Sequence, residues 1–208
     1  MTTAITSAGF DTETTTKTPD RNAPQKAGRA LWAPMLVMAL MGFVVGIILT
    51  IVRANAIDDG TDPVWIAQLS QYIPAAMFFG FAAVFAAISF AIARILGEFR
   101  IGGGSVQQAA GSQVRTLKMP ATAKAFLGLM MMAMMILIGA VVAHVIVGVV
   151  IGNDDLSAVS TEQWTLWLEA ARRFGVSLYL FAIALGLGTI ITVIRFQSIR
   201  IREVGNAT

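Results

Sequence analysis

The 208 residues are 56% hydrophobic and only 13% charged, about half the charge of an average soluble domain. Such a chain has little material for a soluble globular domain. Cysteine is absent, which removes disulfides, thiolate metal sites and cysteine nucleophiles together.

In chain order, residues 1–30 are polar and threonine-rich, with no short apolar core or small-residue cleavage site of a secretory signal. They are expected to form a disordered cytoplasmic tail. Four long uncharged stretches follow, at 31–52, 73–93, 125–152 and 174–194. Each reaches the about 20 residues that cross a hydrocarbon core. In lipid no water pairs with backbone groups, so each must close its own hydrogen bonds as a helix. The expected fold is all-α, a four-helix integral membrane protein. Its segments are a transmembrane hairpin over 31–96, a cytoplasmic basic linker over 97–124, a second hairpin over 125–195, and a short basic tail over 196–208.

Charge sets the orientation. Of the 15 Lys and Arg, only Arg53, Arg172 and Arg173 lie in the loops inside the two hairpins. Those loops hold the acids Asp58, Asp59, Asp62, Asp154, Asp155, Glu162 and Glu169. The remaining basic residues flank the spans in the tails and central linker. By the positive-inside rule both termini are cytoplasmic, and the protein is multi-pass in the cell's inner membrane. Because the basic residues follow the span ends, they give a topology signal and not a nucleic-acid footprint.

The chain also repeats. A shift of 97 places lays Met35, Met38, Gly42 and Asp58 on Met132, Met135, Gly139 and Asp155. Two hairpins in one orientation are thereby expected, related by a pseudo-twofold axis along the membrane normal. Each acidic loop reads as a short helix on the outer surface. Asp62 and Pro63 start the first; Ser160 and Gln163 form a capping box for the second. Trp65, Trp164 and Trp167 are its interfacial anchors, since an indole is apolar with one N–H to satisfy. In the central linker, Gly102-Gly103-Gly104 lacks the Lys-Ser/Thr of a phosphate loop and reads as a flexible joint. After it, Val106, Ala110, Val114 and Leu117 follow helical spacing, as an interfacial helix or a solvated loop. Pro34 and Pro74 are placed in first turns.

Three features bear on function. Gly42, Gly46 and Thr50 form a small-residue row, as do Ala76, Gly80, Ala83, Ala87 and Ala91, and Ala184, Gly188 and Thr192. Lipid tails are as apolar as leucine, so helices associate through close backbone approach along such rows. His144 is the one ionisable group deep in a span. As structural glue it needs one hydrogen-bond partner, for which Thr50, Ser177 and Tyr179 are candidates; a proton or ligand site is the sharper alternative. Met130 with Met134, and Met131 with Met135, place thioether pairs on one helix face. Such an MxxxM pair resembles that of Ctr-type copper transporters over five residues. That family has three spans and further outer methionines, which this chain lacks, so the reading here is helix packing.

No catalytic constellation, cofactor motif or metal cluster is apparent, and no enzyme activity is expected. The expected function is an accessory or assembly subunit of a larger membrane complex, acting through helix–helix contacts with other subunits or itself. The alternative is a small transporter or channel for a metal ion or apolar solute.

The topology is directly testable. Cysteines placed at Ser105 and Ala207 should be shielded from impermeant thiol reagents in intact cells, and one at Ser157 labelled. The reverse pattern would overturn the charge argument.

Overall fold

The computed structural model describes residues 10–153 and 158–205. The order is β1 (Thr12–Thr15), α1 (Ala23–Asp58), α2 (Pro63–Ala109), β2 (Val114–Leu117), α3 (Ala121–Gly152) and α4 (Ala158–Gly205). All four helices are long and apolar enough to cross a membrane. The all-α architecture therefore stands, with one addition: β1 and β2 pair as an antiparallel ribbon, Thr12 opposite Leu117 and Thr15 opposite Val114.

The helices run further than the apolar stretches, and this corrects several expectations. Residues 10–30 hold β1 and the first turns of α1. Asn22 and Gln25 cap that helix reciprocally, each backbone N–H donating to the other's side-chain oxygen at 3.1 Å. The outer helices are not separate elements but the opening turns of α2 and α4. Asp62 does cap α2, accepting from the Val64 N–H at 2.9 Å, whereas Ser160 lies inside α4. Asp154, Asp155 and Ser157 lie outside the described residues, as does Ala207. Both prolines are interior, Pro34 in α1 and Pro74 in α2, so the carbonyls of Ala30 and Ser70 lack their usual amide donors.

The triple glycine is helical as well. Helix α2 passes through it to Ala109, and the turn comes at Gly111, whose φ is +65°. There the Ser112 N–H donates to the Gln107 carbonyl and the Gly111 N–H to that of Gln108, a Schellman cap. Gly60 (φ +63°) closes α1 in the same way through Thr61 and Ala56. Val114 and Leu117 thus sit on a strand and not on an interfacial helix. At the end of the chain, residues 196–205 continue α4.

Two compact units emerge. Of the described residues, the first comprises 10–32, 88–128 and 182–205. Here α1 and α2 come close at Gly28, where a Cβ would fall 2.6 Å from the Phe90 carbonyl oxygen. Thr189 of α4 donates its one proton to the Leu185 carbonyl at 2.9 Å and accepts from the Thr122 hydroxyl of α3 at 3.0 Å. Phe10 packs on Phe196, with ring centroids 5.6 Å apart. Ion pairs join Arg21 to Glu98, Arg115 to Glu203 and Lys118 to Asp11.

The second unit comprises Ala33–Ala87 and Leu129–Phe181. Its core gathers Ala82, Ala133, Leu137 and Tyr179, with Phe78, Phe85, Met130 and Met134 against it. Another cluster holds Val147, Ile151 and Leu168. Helices α1 and α2 touch backbone to backbone: a Cβ on Gly42 would fall 2.9 Å from the Gly80 backbone. One on Gly46 would meet the Met77 thioether at 2.6 Å, the end of a flexible side chain.

The two glycines should therefore respond differently. Gly42→Ala is expected to destabilise by about 1–3 kcal/mol, because the Gly80 backbone cannot move aside. Gly46→Ala should cost less, since Met77 can rotate away. Thermal unfolding in detergent checks this; equal effects at the two positions would refute the difference in contacts.

Candidate functional site

Polar side chains inside the second unit form a connected layer. His144 of α3 is fully buried, between Ala140 and Gly148 on the same helix row. Its Nδ1 lies 2.8 Å from Oε1 of Gln71 on α2, itself 3% exposed. The Gln71 amide Nε2 donates to Thr165 Oγ1 of α4 at 3.0 Å, and Thr165 donates onward to the Thr161 carbonyl at 2.8 Å. With its one proton given to Thr161, Thr165 can only accept from Gln71. That orients the Gln71 oxygen toward His144 and calls for the proton on Nδ1. Three helices are tied by one chain of hydrogen bonds. The His144 Nε2, on the far side of the ring, has no partner among the described residues.

A turn earlier on α2, Gln68 donates to the Gly148 carbonyl at 3.1 Å. The two amides, three residues apart, meet α3 at Gly148 and His144, four residues apart, so both ties follow the one-turn spacing of neighbouring helices. Gly152 admits Gln68, since a Cβ there would collide with its amide, and Gly148 likewise makes room for the Tyr72 ring.

Along α4, Thr165, Glu169, Arg172, Val176 and Tyr179 fall on one face at helical spacing. Arg172 is 5% exposed and ion-paired with Glu169, which also accepts from Arg173 Nε at 2.8 Å. The Arg172 guanidinium carbon sits 4.3 Å from the centroid of the Phe78 ring, a cation–π contact. Its Nε is buried without a partner. Tyr179 is fully buried and stacked on Phe85 at 4.9 Å, and its hydroxyl is likewise unpartnered.

His144 therefore bonds none of the three partners that its span position suggested. Thr50 donates to the Gly46 carbonyl and Ser177 to that of Arg173, each within its own helix. Gln71 precedes the apolar stretch that begins at residue 73, so hydropathy does not place it inside a span. The available signal was the pair Gln68 and Gln71 on one helix face beside Leu69. Of the small-residue rows, Gly42, Gly80, Ala83 and Ala87 are buried, Gly46 lies under Met77, and Ala76 borders an apolar cleft with Gly42 and Tyr72. Thr50 is exposed. Trp65, Trp164 and Trp167 are 39%, 51% and 68% exposed, so the three indoles stand on the outside of the protein. The methionine pairs divide: Met130 and Met134 pack on the core, while Met131 and Met135 face outward.

Chemically the layer offers an imidazole acceptor, a phenol and a guanidinium–carboxylate pair. Among the described residues no three His, Cys, Asp or Glu side chains converge to hold a metal ion. No protein family, characterised protein or solved structure matches this chain.

The shared bond between His144 and Gln71 should be visible as coupling. His144→Leu leaves the Gln71 oxygen bare, and Gln71→Leu leaves the imidazole N–H bare. The double variant is expected to lose about 1 kcal/mol less than the two single losses combined. Strict additivity in unfolding measurements would show that the bond carries no stability.

Proposed function

We propose that this chain is a non-enzymatic multi-pass protein of the inner membrane that works through helix–helix contacts, as an accessory or assembly subunit of a larger membrane complex. The observation that carries the reading is an open small-residue row. On α4, Ala184 is exposed and Gly188 has nothing within 4 Å of where a Cβ would stand. Thr192 continues the row, with its hydroxyl bonded to the Gly188 carbonyl at 3.0 Å. Gly42, Gly46 and Gly80 are already filled by contacts inside the chain, whereas this row is free. In lipid, a free row of this kind is where another helix can come close.

The orientation proposed with it places both termini and the α2–α3 connection in the cytoplasm, on the distribution of Lys and Arg. A tandem repeat of two hairpins is supported by helix lengths, 36 and 47 residues in the first pair against 32 and 48 in the second. A small transporter is the second reading. It is favoured by the unpartnered polar atoms of His144, Arg172 and Tyr179, since polar groups inside a membrane span commonly line a pathway. Within the assembly reading the layer is a structural tie between α2, α3 and α4.

Gly188→Leu separates the two. The assembly reading expects loss of co-purifying subunits or of self-association in mild detergent, with the unfolding temperature unchanged because the site is open. Retention of every contact in Gly188→Leu, together with solute uptake by the purified protein alone, would replace it with the transporter.

A further inference from the structure

The first unit contains a cavity of about 410 Å³ in which basic side chains outnumber acidic ones. Its charged lining is Arg100, Lys118, Lys124 and Arg200 against Asp11 and Glu13. Lys118 is already matched, its ammonium 2.8 Å from the Asp11 carboxylate. That contact also raises the Lys118 pKa, chiefly through the hydrogen bond.

Neither arginine of the cavity is ion-paired among the described residues: Glu203, whose charge acts on Arg200 from one turn away, is held by Arg115 at 2.9 Å. Arg200 is 2% exposed, yet its guanidinium is bonded only to neutral amides. Nε and one terminal nitrogen donate to Gln107 Oε1 at 2.9 and 2.7 Å, and the other donates to Gln197 Oε1 at 3.3 Å. The Phe196 ring lies 5.5 Å away. The Arg100 Nε is buried and has no hydrogen-bond partner among the described residues. A buried cation ordinarily requires a counter-charge, because desolvating it is costly. Gly103 keeps the place open: a Cβ there would collide with Gln197 and Arg200.

Part of the remaining wall is apolar and comes from the ends of the membrane stretches, including Ala93, Phe126 and Val193, beside polar side chains such as Thr116, Thr189 and Gln197. Guanidiniums on one side and span-end side chains on the other match a molecule with an anionic head and an apolar tail. We propose that this cavity binds a phosphate ester anion, and that its source is the headgroup of an anionic phospholipid, with the first acyl carbons on the apolar wall. Basic pockets between membrane helices recognise acidic headgroups through the same chemistry, and guanidinium suits phosphate through its forked donors. The inference concerns a different surface from the α4 row and stands whether or not that row joins a partner.

The test uses the full chain, purified and delipidated in a neutral detergent. Unfolding temperature is measured with dioctanoyl phosphatidylglycerol, with dioctanoyl phosphatidylcholine, and with inorganic phosphate. Phosphatidylglycerol is expected to raise it by about 5 °C at saturation, with little effect from the other two. Arg100→Gln should bind phosphatidylglycerol about tenfold more weakly while remaining folded, because it removes a charge-assisted contact. Arg200→Gln provides the second variant, with the same loss expected. Equal shifts from the choline and glycerol lipids would overturn the proposal. So would binding that is unchanged in Arg100→Gln and in whichever arginine variants fold. An equal shift from inorganic phosphate would overturn the lipid source and make this a site for a soluble phosphate ester.

Discussion

A peptide group in hydrocarbon has no solvent to pair with, and most of this structure follows from that constraint. A chain crossing lipid must bond every N–H and C=O to itself, which only an unbroken helix or a closed barrel achieves. Here the helices are unbroken for 32 to 48 residues, well beyond the about 20 needed to cross. Their ends are consequently displaced to where polar devices can satisfy the last groups. The Asn22–Gln25 box, the Asp62 cap and the two glycine Schellman turns are such devices. The Gly102–Gly104 segment, flexible in a soluble linker, is held helical because α4 packs against its bare backbone at Gly103.

Inside the spans the hydrophobic effect gives no preference for protein over lipid, so contact must come from close packing and from polar ties. Both occur in the second unit. The backbones of α1 and α2 meet at Gly42 and Gly80, where any side chain would intervene. Helices α2, α3 and α4 are joined by Gln68, Gln71, His144 and Thr165. The Gln71–His144 tie lies about 12 Å from helix ends, eight residues at 1.5 Å each from Pro63 to Gln71 and from Gly152 to His144.

The two buried arginines show two treatments of one problem. Arg172 has a carboxylate, Glu169, one turn away on its own helix, and a Phe78 ring beneath it; its charge is balanced within the chain. Arg200 bonds glutamine amides and lies by the Phe196 ring; the carboxylate that acts on it from one turn away, Glu203, is ion-paired with Arg115 instead. Neutral partners satisfy hydrogen bonds without offsetting the electrostatic cost of burial. The difference between them lies in the charge of the groups they bond and not in the number of bonds.

Length and hydropathy determined a great deal. Four apolar stretches specified four membrane-length helices, because the thickness of hydrocarbon is constant and the backbone has no alternative inside it. The glycines at 42 and 80 and the cap at Asp62 were legible for the same local reason: each acts on its own helix or its immediate neighbour. Helix length was underestimated because polar and glycine-rich residues carry no hydropathy signal, and only packing of α4 on Gly103 and pairing of β2 with β1 decided their conformation. The partner of His144 was also a tertiary matter. Nothing local links residue 144 to residue 71, and their contact exists only because α2 begins its course as helix at Pro63, turning Gln71 inward. Likewise, charge counting put Arg172 in an acidic hairpin loop and Arg200 in the basic C-terminal tail, but it did not show that both are buried. Which arginine meets a carboxylate is settled by which side chains the folded helices bring within reach.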